Sequence, residues 1–426
     1  MVFVREGFYV CLCVYLSIIK SDNVLMCVKN SPFGVAKGEG KMSTTLPVTK
    51  HILIVAGDVS GDLHAAGLIR ALKEADPSVC ITSVGGRLMK EVSDSFLFDL
   101  ASQGATGFVE PIKKMPLWIR LRNDLRDYMD KQHPVALIVV DFYGFNHQVL
   151  KLAKERHIPA YYYVTPQVWA SRQYRAKKLA ALTKKMYVIY PFEPAFHQKR
   201  GGNAVFLGNP LLDIMPLPQP KTYEVKDPSL HAWKLGLLPG SRMGEITRLV
   251  PEFYQAFKEI LQSFPNTQAY MFLLPNADEQ IFLNLLGEKP HPNFHLVKDK
   301  NYELRSQMDF LLACSGTATL ENALLGVPML VAYKMFWPTY QIAKMVIKVP
   351  YISLVNILAG NRPVVKELIQ HEANAHALAI ETCRMFENAQ KLKEMHEELL
   401  KLRSSLGEPG VAKRAAVDIL HDLKHE

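Results

Sequence analysis

Lys234-Leu235-Gly236-Leu237-Leu238-Pro239-Gly240-Ser241-Arg242-Met243-Gly244-Glu245 decides the fold class of this chain. A short apolar run enters a Pro-Gly turn, and the apolar periodicity of Ile246–Ser263 predicts a helix directly after it. Strand, tight turn and helix form the repeating unit of a parallel sheet, because a parallel neighbour is reached only by a crossover. Downstream, Ala269–Leu274, Phe310–Ala313 and Met329–Ala332 read as further strands, and Thr319–Leu325 as a helix. Upstream, His51–Ala56, Val79–Val84, Ala136–Val140, Ala160–Val164 and Lys185–Ile189 read as strands, with a helix over Ser60–Ala75. Between the two series lies the Pro-rich stretch Met215–Pro220, which reads as an interdomain linker. The expectation is an α/β protein with two Rossmann-like parallel-sheet domains, 43–218 and 222–390, facing an interdomain cleft. Residues 391–426, rich in Lys, Glu and Leu, read as a helical C-terminal segment.

The 426 residues suffice for two such cores, and 49% hydrophobic against 21% charged residues excludes a disordered chain. A net charge of +9 points to an anionic partner without choosing among nucleic acid, anionic lipid and phosphorylated substrate. No nucleic-acid-binding motif accompanies that charge. Of the six cysteines, Cys11, Cys13 and Cys27 sit near the N-terminus, while Cys80, Cys314 and Cys383 are scattered without metal spacing. They read as reduced thiols of a cytosolic protein. The largely apolar run Phe8–Ile19 is too short to span a bilayer, and no small-x-small cleavage site follows it. Lys37-Gly38-Glu39-Gly40-Lys41 requires purine-rich codons and Met42 follows, the look of a ribosome-binding site read in frame. Residues 1–41 are therefore expected to be a mis-set start or a weak signal-like segment.

Two turns carry the signature of a phosphate site. Gly240, Ser241 and Arg242 lie between a strand and a helix whose N-terminal N–H groups can face an anion, with Arg242 adding a bidentate contact. Ser315-Gly316-Thr317-Ala318-Thr319-Leu320-Glu321 repeats the pattern, and Glu321 can accept both hydroxyls of a ribose. An ordinary surface turn and a capping arrangement, with Thr317 as N-cap, account for the same residues. After the first strand, Gly57-Asp58-Val59-Ser60-Gly61-Asp62-Leu63-His64 places three titratable groups near the cleft and lacks the GxGxxG of dinucleotide enzymes. Asp141 follows the strand Ala136–Val140, where such sheets carry catalytic side chains, and fits either a helix N-cap or a general base. From Ile112 onward, Met115, Trp118, Ile119 and Leu125 interleave with Lys113, Lys114, Arg120, Arg122 and Arg126. That mixture suits a helix on an anionic membrane surface, and equally a helix packed on the sheet with a solvated basic face.

In this order, Ser60-Gly61-Asp62, Asp141 with Phe145-Asn146, Tyr163–Arg172 with its Val168-Trp169, Leu207–Pro210, Leu238–Arg242, Ser315–Glu321 and Ser353–Gly360 form a specific set. The chain resembles the lipid-A-disaccharide synthase family, glycosyltransferase family 19, whose members have the two-domain GT-B fold. The resemblance runs from about His51 to Gln370. It departs at Asp58, where the family has Glu; at Gly144, where it has a second Asp; at Asn209, for His; and at Val355, for Pro.

The resemblance implies an inverting enzyme of lipopolysaccharide synthesis. It would join UDP-2,3-diacylglucosamine to 2,3-diacylglucosamine 1-phosphate, giving a β-1,6-linked disaccharide 1-phosphate and UDP. It implies Asp141 as base, with His64 the alternative, and Gly240, Ser241, Arg242, Glu245, Ser315, Gly316, Thr317, Glu321 and Asn356 around UDP. Ser60, Asp62, Asn146 and Trp169 would line the acceptor side. No cofactor or metal is implied. The expected place is the cytoplasm, peripheral on the inner face of the cytoplasmic membrane, with the basic helix facing anionic lipid; a homodimer is left open. The rival readings are another GT-B UDP-sugar enzyme, such as a peptidoglycan glycosyltransferase or a UDP-sugar 2-epimerase, and an inactive membrane-associated nucleotide-sugar-binding protein.

Overall fold

The computed structural model describes residues 50–424 except 104–114, 225, 228–229, 276, 299–301 and 347–348. The N-terminal extension 1–41 and residues Lys113 and Lys114 thus lie outside the described residues. The first sheet holds β1 (Lys50–Ala56), β2 (Val79–Gly85), β3 (Ser95–Asp99), β4 (Ala136–Val140), β5 (Ala160–Tyr163), β6 (Lys185–Val188) and β7 (Ala204–Phe206), in the order β3-β2-β1-β4-β5-β6-β7. The second holds β8 (Lys234–Leu238), β9 (Gln268–Phe272), β10 (Phe294–Val297), β11 (Phe310–Cys314), β12 (Met329–Tyr333) and β13 (Glu367–Ile369), in the order β10-β9-β8-β11-β12-β13. Both sheets are parallel. Four short strands that the sequence reading left out, β3, β7, β10 and β13, are the four sheet edges.

Successive residues of a strand point to opposite faces, and both faces here are covered. Ile52, Ile54 and Ala56 join one core with Ala65, Leu68 and Leu72 of α1 (Val59–Ala75). Leu53 and Val55 join the other with Leu121, Leu125 and Met129 of α2 (Met115–Gln132) and Phe145 and Val149 of α3 (Tyr143–Glu155). On the second sheet, α4 (Met243–Ser263) buries Ile246, Leu249, Val250 and Phe253. Leu320 and Leu324 of α5 (Thr317–Leu324) pack with Leu399 and Leu402 of α6 (Ala389–Ser405). The last helix, α7 (Val411–Lys424), returns to the first sheet, adding Ala415, Ala416, Ile419 and Leu420 to the core of α1. Its Asp418 accepts the Tyr187 hydroxyl and the Lys185 ammonium, each at 2.7 Å.

The strand order reverses between β1 and β4 and again between β8 and β11. At such reversals neighbouring crossovers leave to opposite faces and open a crevice at the carboxyl ends of the strands. Trp169, Tyr190, Leu211 and Leu212, from segments after β5, β6 and β7, share a hydrophobic cluster with Leu238, Leu320 and Leu354 of the second half. Both sheets belong to one compact unit, 48–426.

Candidate active site

Ala56 and Val140 are paired at the ends of β1 and β4, so Gly57-Asp58 and Asp141-Phe142 leave the sheet side by side. Asp141 (φ 48°) and Phe142 (φ 44°) both adopt left-handed backbone, at a cost on the order of 1–3 kcal/mol each. Surrounding bonds hold them there. The Asp141 carbonyl accepts Asn146 Nδ2 at 2.8 Å and the Tyr162 hydroxyl at 2.6 Å. Its N–H donates toward the carbonyls of Tyr163 (3.3 Å) and Val164 (3.1 Å), and Val164 is itself at φ 56°. The Phe142 ring fills the space a side chain at position 57 would need, since a Cβ on Gly57 would lie 2.1 Å from it.

Asp58 caps α1 by accepting the Gly61 N–H at 2.7 Å. Burial, reinforced by the Asp58 charge, pushes the Asp141 carboxyl up to about 7, and burial raises Asp58 as well. A carboxylate held near neutrality has the proton affinity a general base needs.

The other first-domain residues fall in different places. Ser60 is exposed at the start of α1. Asp62, expected at the acceptor surface, is buried and accepts the N–H groups of Gly86, Leu88 and Met89 at 2.8–3.0 Å, tying α1 to the segment after β2. Burial lowers the His64 imidazole to about 4, and its opposing charge is Asp213 rather than Asp141. Asp213 in turn caps α7 through the N–H groups of Gly410, Val411 and Ala412. Asn146 is fully buried beneath Asp141 rather than presented to a ligand, its second contact being the Val140 carbonyl at 3.0 Å. Trp169 is also buried. Its indole N–H donates to Glu193 at 2.9 Å, and its ring meets Phe192 edge-on at 5.0 Å. Glu193, pushed up to about 7 by burial, also accepts the N–H groups of Ile189 and Tyr190, so the pair braces the loop after β6.

At the second reversal, Leu238 pairs with Ala313, bringing the two phosphate-type turns together. Gly240 has φ 109°, and a Cβ there would lie 2.5 Å from Glu245 Oε2. Two N–H groups of this turn, just ahead of the α4 helix, are engaged within the protein. Glu245 accepts those of Ser241 (3.2 Å) and Arg242 (3.3 Å), and its other oxygen takes the Arg242 guanidinium at 3.0 Å. The Arg242 side chain nevertheless stays 61% exposed. Across from it, Gly316 rather than Thr317 caps α5, and both residues are exposed. The first-turn N–H groups of Thr317 and Ala318 in α5, like those of Met243 and Gly244 in α4, have no intrahelical partner, so each helix end can receive an anion. The Ser315 hydroxyl donates to the Ile352 carbonyl at 2.8 Å.

Glu321 pairs with Arg305 at 2.8 Å, and the Arg305 guanidinium lies 4.9 Å from the Tyr302 ring centre. No motif in the sequence marks Arg305. Asn356, expected at UDP, has its amide wholly engaged: it donates to the Val365 carbonyl and Glu367, and accepts the Val365 N–H, all within 2.8–2.9 Å. It supports a loop instead of offering a ligand group.

On α2, Leu125 faces the core, while Met115 (47%) and Ile119 (55%) are exposed. Trp118 does not project with Ile119. It is half-buried, edge-on to Phe142 with ring centres 5.8 Å apart, because one residue along a helix turns a side chain through about 100°. Arg120 and Arg126 are exposed and Arg122 partly so; Arg126 pairs with Asp127 at 2.9 Å.

The model of the lipid-A-disaccharide synthetase family matches residues 52–418. The lipid-A-disaccharide synthase of Syntrophus aciditrophicus is 36% identical over 381 residues, covering 88% of this chain and 98% of that protein. Among solved structures, MurG of Acinetobacter baumannii superposes with a TM-score of 0.55 at 15% identity, covering 88% of this chain and 99% of that one. UDP-GlcNAc 2-epimerase of Neisseria meningitidis bound to UDP-GlcNAc does so at 0.57 and 14%, covering 88% and 100%. Identities that low speak for the fold alone, and the fold they share is the two-sheet GT-B arrangement. The family model takes in both strand-order reversals and the turns beyond them, and on that match the chain belongs to the lipid-A-disaccharide synthase family of glycosyltransferases.

Proposed function

We propose that this enzyme transfers the glucosamine unit of UDP-2,3-diacylglucosamine to the 6-hydroxyl of 2,3-diacylglucosamine 1-phosphate, with inversion. The observation that carries the division of labour is the pairing of a half-buried carboxylate on strained backbone at one reversal with an open cationic turn at the other. Asp141 takes the proton of the 6-hydroxyl as its oxygen attacks the anomeric carbon. The bond from that carbon to the UDP oxygen breaks on the opposite face. The charge left on the diphosphate is met by Arg242 and the α5 N-terminus, donors already in place before it develops. Arg305 fixes one oxygen of Glu321 and leaves the other for the ribose. Ser60, exposed at the start of α1, would meet the acceptor.

Both substrates carry acyl chains, which must come from a membrane. Met115 and Ile119 would enter the interface while Arg120, Arg122 and Arg126 meet anionic headgroups on the inner face of the cytoplasmic membrane. Trp118, turned inward, would link that helix to Phe142. The reading is tested by incubating the purified protein with the two acylated glucosamines. Equimolar disaccharide and UDP are expected; UDP released equally well without acceptor, or no product at all, would contradict it.

A further inference from the structure

At the end of the second sheet opposite these turns, the segment before β8 closes a cavity of about 290 Å³ over the first residues of β8 and β11. Three lysines, Lys221, Lys226 and Lys234, line it together with Asp309 and the exposed Glu224. The Asp309 carboxylate is already engaged, accepting the Lys234 backbone N–H at 2.8 Å and lying 3.4 Å from Lys226 Nζ. Lys221 donates to the Met308 carbonyl instead of a carboxylate. Burial pushes its ammonium down to about 8; Asp309 opposes this, while Lys226 and Lys234 add to it. Two more donors in the wall, the indole N–H of Trp233 (2% exposed) and the Tyr223 hydroxyl, are buried without a hydrogen-bond partner.

Crowded like charges and orphaned donors each cost free energy on their own. Water could satisfy the N–H and O–H groups but not the charge. A group rich in acceptors, poor in donors and negatively charged satisfies both. We infer that this cavity is a second anion site, built for a phosphate group and separate from the donor turns, where a bound ion ties the 219–224 segment to the starts of β8 and β11.

The test is thermal unfolding and calorimetry of the full chain with inorganic phosphate, with glucose 1-phosphate, and with phosphatidic acid vesicles against phosphatidylcholine vesicles. Wild type and Arg242→Ala should both gain several degrees in melting temperature with phosphate, because the site is not the donor turn. Lys221→Met/Lys234→Met should melt no lower than wild type in phosphate-free buffer, since the repulsion is relieved, and should lose the phosphate response. Should that variant fail to fold, Tyr223→Phe serves, with an expected several-fold weaker phosphate affinity. A response to phosphatidic acid and glucose 1-phosphate alike supports the site with phosphate monoesters as its ligands; a response to the soluble ions alone supports it with free phosphate. No shift with any probe, a shift abolished by Arg242→Ala, or an undiminished shift in the lysine double variant and in Tyr223→Phe overturns it.

Discussion

The two strand-order reversals are built alike and furnished differently. Between β1 and β4 stand two neighbouring carboxylates, two consecutive left-handed residues, and buried side chains that hold the backbone of Asp141 from below. Between β8 and β11 the backbone is relaxed apart from Gly240, a residue that takes φ 109° at little cost, and the exposed groups include Arg242, Gly316 and Thr317. The contrast teaches where strain is useful. Holding a diphosphate needs cations and helix ends, which unstrained turns supply. Aiming a carboxylate of raised proton affinity needs a backbone forced into place and a site partly closed to water.

Asp141→Asn should break the first region most completely. Losing a general base costs about 10²–10⁴-fold in kcat. The same change should stabilise the protein at pH 8. Asp141 is raised in the fold above its unfolded value near 3.9, so the stability it contributes is present at low pH and lost as pH rises through about 7. Melting curves of the two proteins should therefore converge below about pH 4, where Asp141 is protonated in both states, and separate at pH 8, the variant higher; equal melting at both would mean that Asp141 is solvated.

Arg242→Ala acts on the second region and should cost about one to two powers of ten in kcat/KM, the worth of a charge-assisted contact to phosphate. Unchanged donor kinetics would remove Arg242 from the site. A milder effect is expected from Asp58→Asn. In wild type, kcat/KM should climb with pH and level off above about 7; without the neighbouring charge the rise should come at lower pH. A profile that stays put would show that burial alone sets the Asp141 proton. The smallest effect belongs to Ile119→Ser, which should weaken binding to anionic vesicles with melting unchanged, since Ile119 is 55% exposed. Trp118→Ser should instead lower the melting temperature through its lost contact with Phe142. The reverse pattern would mean that Trp118, not Ile119, meets the lipid.

Much of the frame was legible because buried parallel strands read as unbroken apolar runs: Ala136–Val140 and Lys234–Leu238 were placed to the residue. The four edge strands were not, since an edge is short and half covered. Ser95–Asp99 alternates exposed with partly buried residues, and Glu367–Ile369 spans only three positions. The position of Asp141 after β4 was readable for the same reason as β4 itself. The left-handed backbone at Asp141 and Phe142 was not, because it is imposed by Tyr162 and Asn146 and not by local preference. Family motifs also drew attention to Asp62, Trp169 and Asn356 as ligand contacts. Their partners, the Gly86 N–H, Glu193 and Val365, are set by tertiary folding, and a motif does not reveal whether a residue touches the ligand or holds the loop that does. Arg305 went unread because its ion pair with Glu321, 16 residues further along the chain, is made by the tertiary fold and carries no sequence motif.

The division between a region that reacts and a region that binds is tested most directly by titrating UDP calorimetrically into Asp141→Asn and Arg242→Ala side by side with wild type. Near-normal UDP affinity is expected in Asp141→Asn despite its lost turnover, and affinity weakened by at least about tenfold in Arg242→Ala. Weakened UDP binding in Asp141→Asn with wild-type binding in Arg242→Ala would contradict it.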